Sequence, residues 1–191
     1  MLVFRRYAVA LTLPLLAACG SGGAKDPVAE AKFQNEKRIG DEAVTEKQER
    51  DAEFLVTAAT HLMQDSEMSQ MAQRKATAPG AKQLAQLVIS EHGSMQKALQ
   101  TLAAQKSIVL PASLGADQGK RLGELGALNG PAFDRKFAEL LEDSHKTTVD
   151  EFDDMSEDAY DGDIRAFAAK FLPTLKAHHA AADQLADQLG S

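Results

Sequence analysis

The chain has 191 residues, with 21 Lys and Arg against 28 Asp and Glu, for a formal net charge of −7. A net acidic surface repels nucleic-acid phosphates and anionic headgroups, so neither is expected as a binding partner. There is no tryptophan and there are two tyrosines. The excess of Ala, Leu, Gln, Glu, Asp and Lys favours helix, because alanine and straight-chain residues lose least on entering one.

At the start of the chain Arg5 and Arg6 precede an apolar run from Tyr7 to Leu16, closed by Leu16-Ala17-Ala18-Cys19. This is the layout of a secretory signal peptide. The run of about ten residues is half the roughly twenty that a spanning helix needs. Cys19 is the one cysteine, so no internal disulfide can form. The Leu-x-x-Cys ending resembles the bacterial lipobox, whose cysteine carries lipid. Residues 1–18 are therefore expected to be a lipoprotein signal peptide and Cys19 the lipidation site. The absence of Asp after Cys19, where Gly20 and Ser21 follow, points to the outer membrane, with the protein facing the periplasm.

Residues 19–50 offer little to bury. Beyond the glycines at 20, 22 and 23, the stretch is crowded with charge and carries Val28, Phe33, Ile39 and Val44 as its sizeable apolar groups. The expectation is a polar tether, with a frayed solvated helix over 28–50 as the alternative.

Four long helices are expected next, over about 51–76, 81–106, 131–158 and 163–190, each roughly 40 Å long. Pro79-Gly80, Asn129-Gly130-Pro131 and Asp161-Gly162 punctuate them. The turns at 77–80 and 159–162 are short and make antiparallel hairpins. The link over 107–130 is long and holds a short helix over 117–128. Apolar residues recur at three-to-four spacing: Phe54, Ala58, Leu62, Ser69 and Ala72; Leu84, Val88, Met95, Ala98 and Leu102; Phe133, Phe137, Leu140, Leu141, Phe152 and Met155; Ile164, Phe167, Ala168, Phe171, Leu175, Ala182 and Leu185. The expected fold is all-α, a ferritin-like four-helix bundle over residues 51–190. Pro173 should kink the last helix.

A hundred degrees per residue then places the polar side chains. Asp65 falls inside the first stripe, Glu91 inside the second with His92 at its edge, Ser144 and Thr148 inside the third with His145 at its margin, and His178 inside the fourth with His179 marginal. All lie near mid-helix, so a single polar layer is expected halfway along the molecule. Asp65, Glu91, His92, His145 and His178 are the candidate metal ligands. Imidazole plus carboxylate suits one transition metal ion, and the same residues can instead form a hydrogen-bonded network that fixes helix register. A di-iron centre needs Glu-x-x-His on two helices. Glu142-Asp143-Ser144-His145 is one match, and Glu142 points away from the stripe. Met68, Met95 and Met155 face inward as gap-fillers. His61 is an edge histidine, and the acidic run 150–163 lacks calcium-loop spacing.

Several motifs together carry a family resemblance. They are Asp51-Ala52-Glu53-Phe54-Leu55, Ala58-Ala59, Glu67 with Met71-Ala72, Glu91-His92, Val109-Leu110-Pro111, Phe133-Asp134-Arg135, Ser144-His145, Phe167-Ala168 and Leu172-Pro173-Thr174-Leu175-Lys176-Ala177-His178. In their order and spacing the chain resembles domain of unknown function 4142, a ferritin-like family of exported and lipid-anchored bacterial proteins, over about residues 50–188. The resemblance implies Asp-His on both middle helices; this chain has Glu91-His92 and Ser144-His145, so one acidic partner is missing unless Asp143 replaces it.

No nucleophile–base pair, phosphate-cradling loop or cofactor fingerprint is visible, so no catalytic residue is named and an enzyme is not expected. Two functions remain: a lipid-anchored envelope module that meets a protein partner, and a transition-metal-binding protein for sequestration or stress response.

Overall fold

The computed structural model describes residues 26–41 and 46–190; the leader and Cys19 lie outside them. Among the described residues the protein is all-α, with six helices in the order α1 (Pro27–Asp41), α2 (Glu46–Lys75), α3 (Pro79–Gln105), α4 (Ala116–Ala127), α5 (Gly130–Asp158) and α6 (Gly162–Gly190). The long helices pack in a ring: α2 lies against α3 and α5, and α6 lies against α5 and α3. The α2–α3 and α5–α6 turns are short, and α4 rides on the long connection between the two pairs.

Both short turns are held by an aspartate reaching in from another helix. Asp134 of α5 is buried and accepts from the backbone N–H of Thr77 (2.9 Å) and Ala78 (2.8 Å), and from the Thr77 hydroxyl. Asp51 of α2, also buried, accepts from the N–H groups of Tyr160 (3.0 Å) and Asp161 (2.7 Å). Each carboxylate satisfies donors that a helix end would leave orphaned. Asp161 caps α6 through the N–H groups of Asp163 and Ile164. At the other end of α3, Ser107 takes φ 56°. Its N–H bonds the Ala104 carbonyl and that of Ile108 bonds the Ala103 carbonyl, a Schellman closure built on a residue other than glycine.

Residues 27–41, expected as part of a polar tether, instead form a docked helix, and α2 begins at Glu46, five residues before the expected start. On α1 Ala31, Asn35 and Ile39 are buried, one turn apart, and α1 packs along α2. The Asn35 side chain takes both backbone groups of Val109, donating to its carbonyl (2.8 Å) and accepting from its N–H (2.7 Å). Asp26 caps α1 and also accepts from Ala116 N–H at the start of α4. The helix α6 runs continuously through Pro173, which is exposed.

The apolar interior falls into two clusters. One gathers Leu55, Leu62, Met95, Leu99, Phe152, Ile164 and Leu175; the other gathers Met68, Val88, Phe133, Phe137, Leu141 and Ala182. Burying each large side chain contributes about 1.5–3 kcal/mol. On each long helix the change from one cluster to the other brackets a polar residue: Asp65 on α2, His92 on α3, Ser144 and His145 on α5, His178 on α6. A buried polar layer divides the core.

Candidate metal centre

Three imidazoles occupy the middle of that layer. His92, His145 and His178 come from three different helices and all three are fully buried. Their ring centroids form a nearly equilateral triangle, with sides of 5.2 Å (His92–His145), 5.3 Å (His92–His178) and 5.3 Å (His145–His178). One ring nitrogen from each lies within 4.8 Å of the other two.

Hydrogen bonds fix which nitrogens face outward. His145 Nδ1–H donates to the Leu141 carbonyl one turn earlier (2.9 Å), which leaves Nε2 as a lone pair in the neutral ring. His178 Nε2–H donates to Glu91 Oε2 (2.7 Å), which leaves Nδ1 as its lone pair. His145 Nε2 stands 3.3 Å from His92 Nε2.

Burial dominates the electrostatics. Desolvation holds the His145 imidazole down at about 3, against the weaker opposing pull of the Leu141 carbonyl. It holds His92 well below the ordinary histidine value, and the neighbouring His145 and His178 act in the same direction. His178 is lowered by burial too, with Glu91 opposing. All three are therefore neutral at pH 7, the form in which imidazole binds metal. Desolvation pushes Asp65 up to about 8, so its carboxyl is protonated at neutral pH. Asp65 Oδ2 lies 3.7 Å from His145 Nδ1, beyond hydrogen-bond reach.

The layer is poorly satisfied. Asp65 Oδ1, Ser69 Oγ, His92 Nδ1, Ser144 Oγ and His178 Nδ1 are buried without a hydrogen bond of normal geometry, although the Leu62 carbonyl lies close enough to His92 to oppose the lowering of its pKa. The Ser144 hydroxyl lowers Asp65 somewhat without a bond of normal geometry. An unpartnered buried polar atom costs about 1–3 kcal/mol. A network that existed only to set helix register would pair its members. The donor set fits a metal ion. A tetrahedral ion with metal–nitrogen distances near 2.0–2.1 Å holds its ligand nitrogens roughly 3.3–3.4 Å apart, and the His92–His145 pair already stands at 3.3 Å.

The five candidate ligands divide as follows. His92, His145 and His178 come together at the centre. Asp65 stands beside His145, buried and neutral. Glu91 is half-exposed, its side chain 42% accessible, and touches His178 from outside the triad. The expected order on α3 is thus reversed, with His92 inside and Glu91 at the edge. Asp143 is exposed and does not replace the missing acid, and Glu142 is only partly buried. Met95 and Met68 are buried in the apolar clusters on either side of the layer. His61 sits on the α2–α5 seam, where Nδ1–H donates to Thr148 Oγ1 (3.0 Å) and Glu151 lies 3.6 Å away. The Leu141 carbonyl that orients His145 was not foreseen, because a backbone acceptor leaves no mark in side-chain periodicity.

Among solved structures, the chain is similar to one described as "CopM in the Cu(II)-bound form", at 21% identity and a TM-score of 0.61, over 72% of this chain and 96% of that one. At this identity the likeness is one of fold. No curated protein matches the sequence. The family described as Domain of unknown function (DUF4142) matches residues 37–185. The chain belongs to that family.

Proposed function

We propose that this protein binds a single transition metal ion through His92, His145 and His178, and that it does so as a lipid-anchored protein of the bacterial envelope. The observation that carries the reading is the buried imidazole triangle, in which hydrogen bonds to Leu141 and Glu91 turn lone pairs of His145 and His178 away from their outer partners. Three neutral imidazoles suit copper or zinc, and among divalent ions copper binds such donors most tightly. The fold neighbour's Cu(II)-bound state is in keeping with this choice. A bound ion would supply positive charge to lone pairs that now lack donors. Asp65 is the buried carboxyl nearest to it and Glu91 the one already bonded to a ligand.

The ferritin-like four-helix bundle belongs to the same proposal, supported by the ring of long helices and the long connection between the two hairpins. The anchor rests on the sequence from Arg5 to Cys19. None of the described helices is long and apolar enough to cross a membrane.

Calorimetric titration with Cu²⁺ and Zn²⁺ tests the metal reading. One ion per chain, lost in a His92/His145/His178 triple alanine variant that keeps its helical spectrum, is the expected result. Unchanged binding in that variant would refute it.

A further inference from the structure

The triad is buried, so an ion must reach it by some route. Among the described residues, Glu91 is the one substantially exposed group that hydrogen-bonds a triad nitrogen. His145 is backed by the Leu141 carbonyl, inside its own helix. Asp65, 1% exposed, opens nowhere. His61 bonds Thr148 and faces Glu151 on the α2–α5 seam, and no hydrogen bond links either of them to the triad. His179 is half-buried beside His178 and bonds none of the three rings. On the α3–α6 seam, by contrast, a carboxylate spans the distance from solvent to a fully buried ring in one 2.7 Å bond.

We infer, resting on the metal-binding reading above, that Glu91 is the positioning residue of the triad and marks the side from which the ion arrives. Two effects follow from one bond. As an acceptor, the carboxylate keeps the proton on His178 Nε2 and so leaves Nδ1 as the ligand atom, the way outer carboxylates orient metal-binding histidines. As a half-exposed anion beside a buried ring, it draws a cation to the seam and remains next to the ligand once the ion is seated. The adjacent position on α3 adds to the fit: His92, the next residue, is a triad member, so one helix segment supplies both the outer acid and an inner ligand.

The test uses the full-length chain with Glu91→Gln and Glu91→Ala, and Glu67→Gln as a control at an exposed acid on α2. Long-range ¹H–¹⁵N correlation in the metal-free protein reads the His178 tautomer. Stopped-flow capture of Zn²⁺ and equilibrium titration with Zn²⁺ and Cu²⁺ read rate and affinity. We expect the wild type to show the Nε2–H form. Glu91→Ala should lose that single tautomer and about 10–100-fold in affinity. Glu91→Gln should keep the tautomer, since its amide oxygen accepts the same proton, but capture the ion more slowly. The control should match wild type. If Glu91→Ala fails to fold, the capture rate of Glu91→Gln decides. Wild-type tautomer and constants in Glu91→Ala would overturn the role of Glu91 while leaving the triad standing. A wild-type chain that captures neither ion would overturn both.

Discussion

His92 Nε2 and His145 Nε2 face each other at 3.3 Å in the middle of a buried layer, while the His145 Nδ1 proton goes to the Leu141 carbonyl. Either His92 donates to His145 and leaves its own Nδ1 an unpartnered acceptor, or its proton turns to the Leu62 carbonyl and two lone pairs oppose one another. A cation between the rings removes the conflict. Ion binding should therefore stabilise the fold. At a free-ion concentration a hundred times the dissociation constant the gain is about 2.7 kcal/mol, which raises Tm by roughly 5–10 °C for a domain of this size. Differential scanning fluorimetry with Zn²⁺ should show this rise in wild type and none in His145→Ala.

The protonated state of Asp65 makes a separate claim about the metal-free protein. Its pKa is raised in the fold, from the ordinary 3.8 to about 8, by burial. The folded state therefore holds a proton that the unfolded chain releases between those values. The stability this contributes is complete below pH 4 and is lost as pH rises towards 8, by up to about 1.4 kcal/mol per pH unit. Asp65→Asn is spared that loss. Denaturant melts at pH 5 and pH 8 should show the variant gaining on wild type at the higher pH; a constant difference would mean that Asp65 is ionised in the fold.

The histidines act in the opposite sense. His61, at about 4, and His145, at about 3, are held neutral by burial, so their contribution is complete above pH 6.5 and falls as pH drops towards those values. With chelator present, His145→Gln should flatten the acid limb of the stability curve between pH 6.5 and 4. An unchanged limb would place the acid sensitivity elsewhere.

Asp134 and Asp51 close the two hairpin turns from outside them. Replacing either with alanine strands buried backbone N–H groups and should cost about 2–4 kcal/mol in urea melts. Asp154→Ala, on an exposed pair with Arg50, should cost less than about 1 kcal/mol.

Ser107 holds a left-handed backbone at φ 56°, where glycine is unstrained. Ser107→Gly should stabilise the metal-free protein by about 1 kcal/mol, as relief of a left-handed residue at a helix end. A loss of stability would show that the Ser107 side chain contributes more than its strain costs.

How much of this was legible in the sequence depends on where each signal resided. The long helices showed through their apolar spacing, and Asp65 and His178 through their place inside it. Glu91 and His92 were exchanged because the stripe on α3 was centred on large residues. Ala85 is buried and small, and Leu99 is buried where Ala98 was expected; together they turn the buried face towards His92. The docking of α1 was hidden for another reason. Its contact surface is Ala31, Asn35 and Ile39, with one large apolar group, and Asn35 is satisfied by Val109, 74 residues away. Local composition holds no trace of such a partner. Within the expected polar layer the acids and imidazoles meet in two separate relations, Asp65 beside His145 and Glu91 bonded to His178.

For the anchor, Cys19→Ser should move the protein from the membrane fraction to the soluble periplasmic fraction. Continued membrane fractionation would contradict lipid attachment at that residue.

The measurement that bears most directly on the metal site is anomalous diffraction from crystals grown with Zn²⁺, recorded on both sides of the zinc edge. One strong peak per chain is expected between the three rings, about 2.0–2.1 Å from a nitrogen of each of His92, His145 and His178. Peaks confined to surface carboxylates, with the triad in its metal-free arrangement, would contradict it.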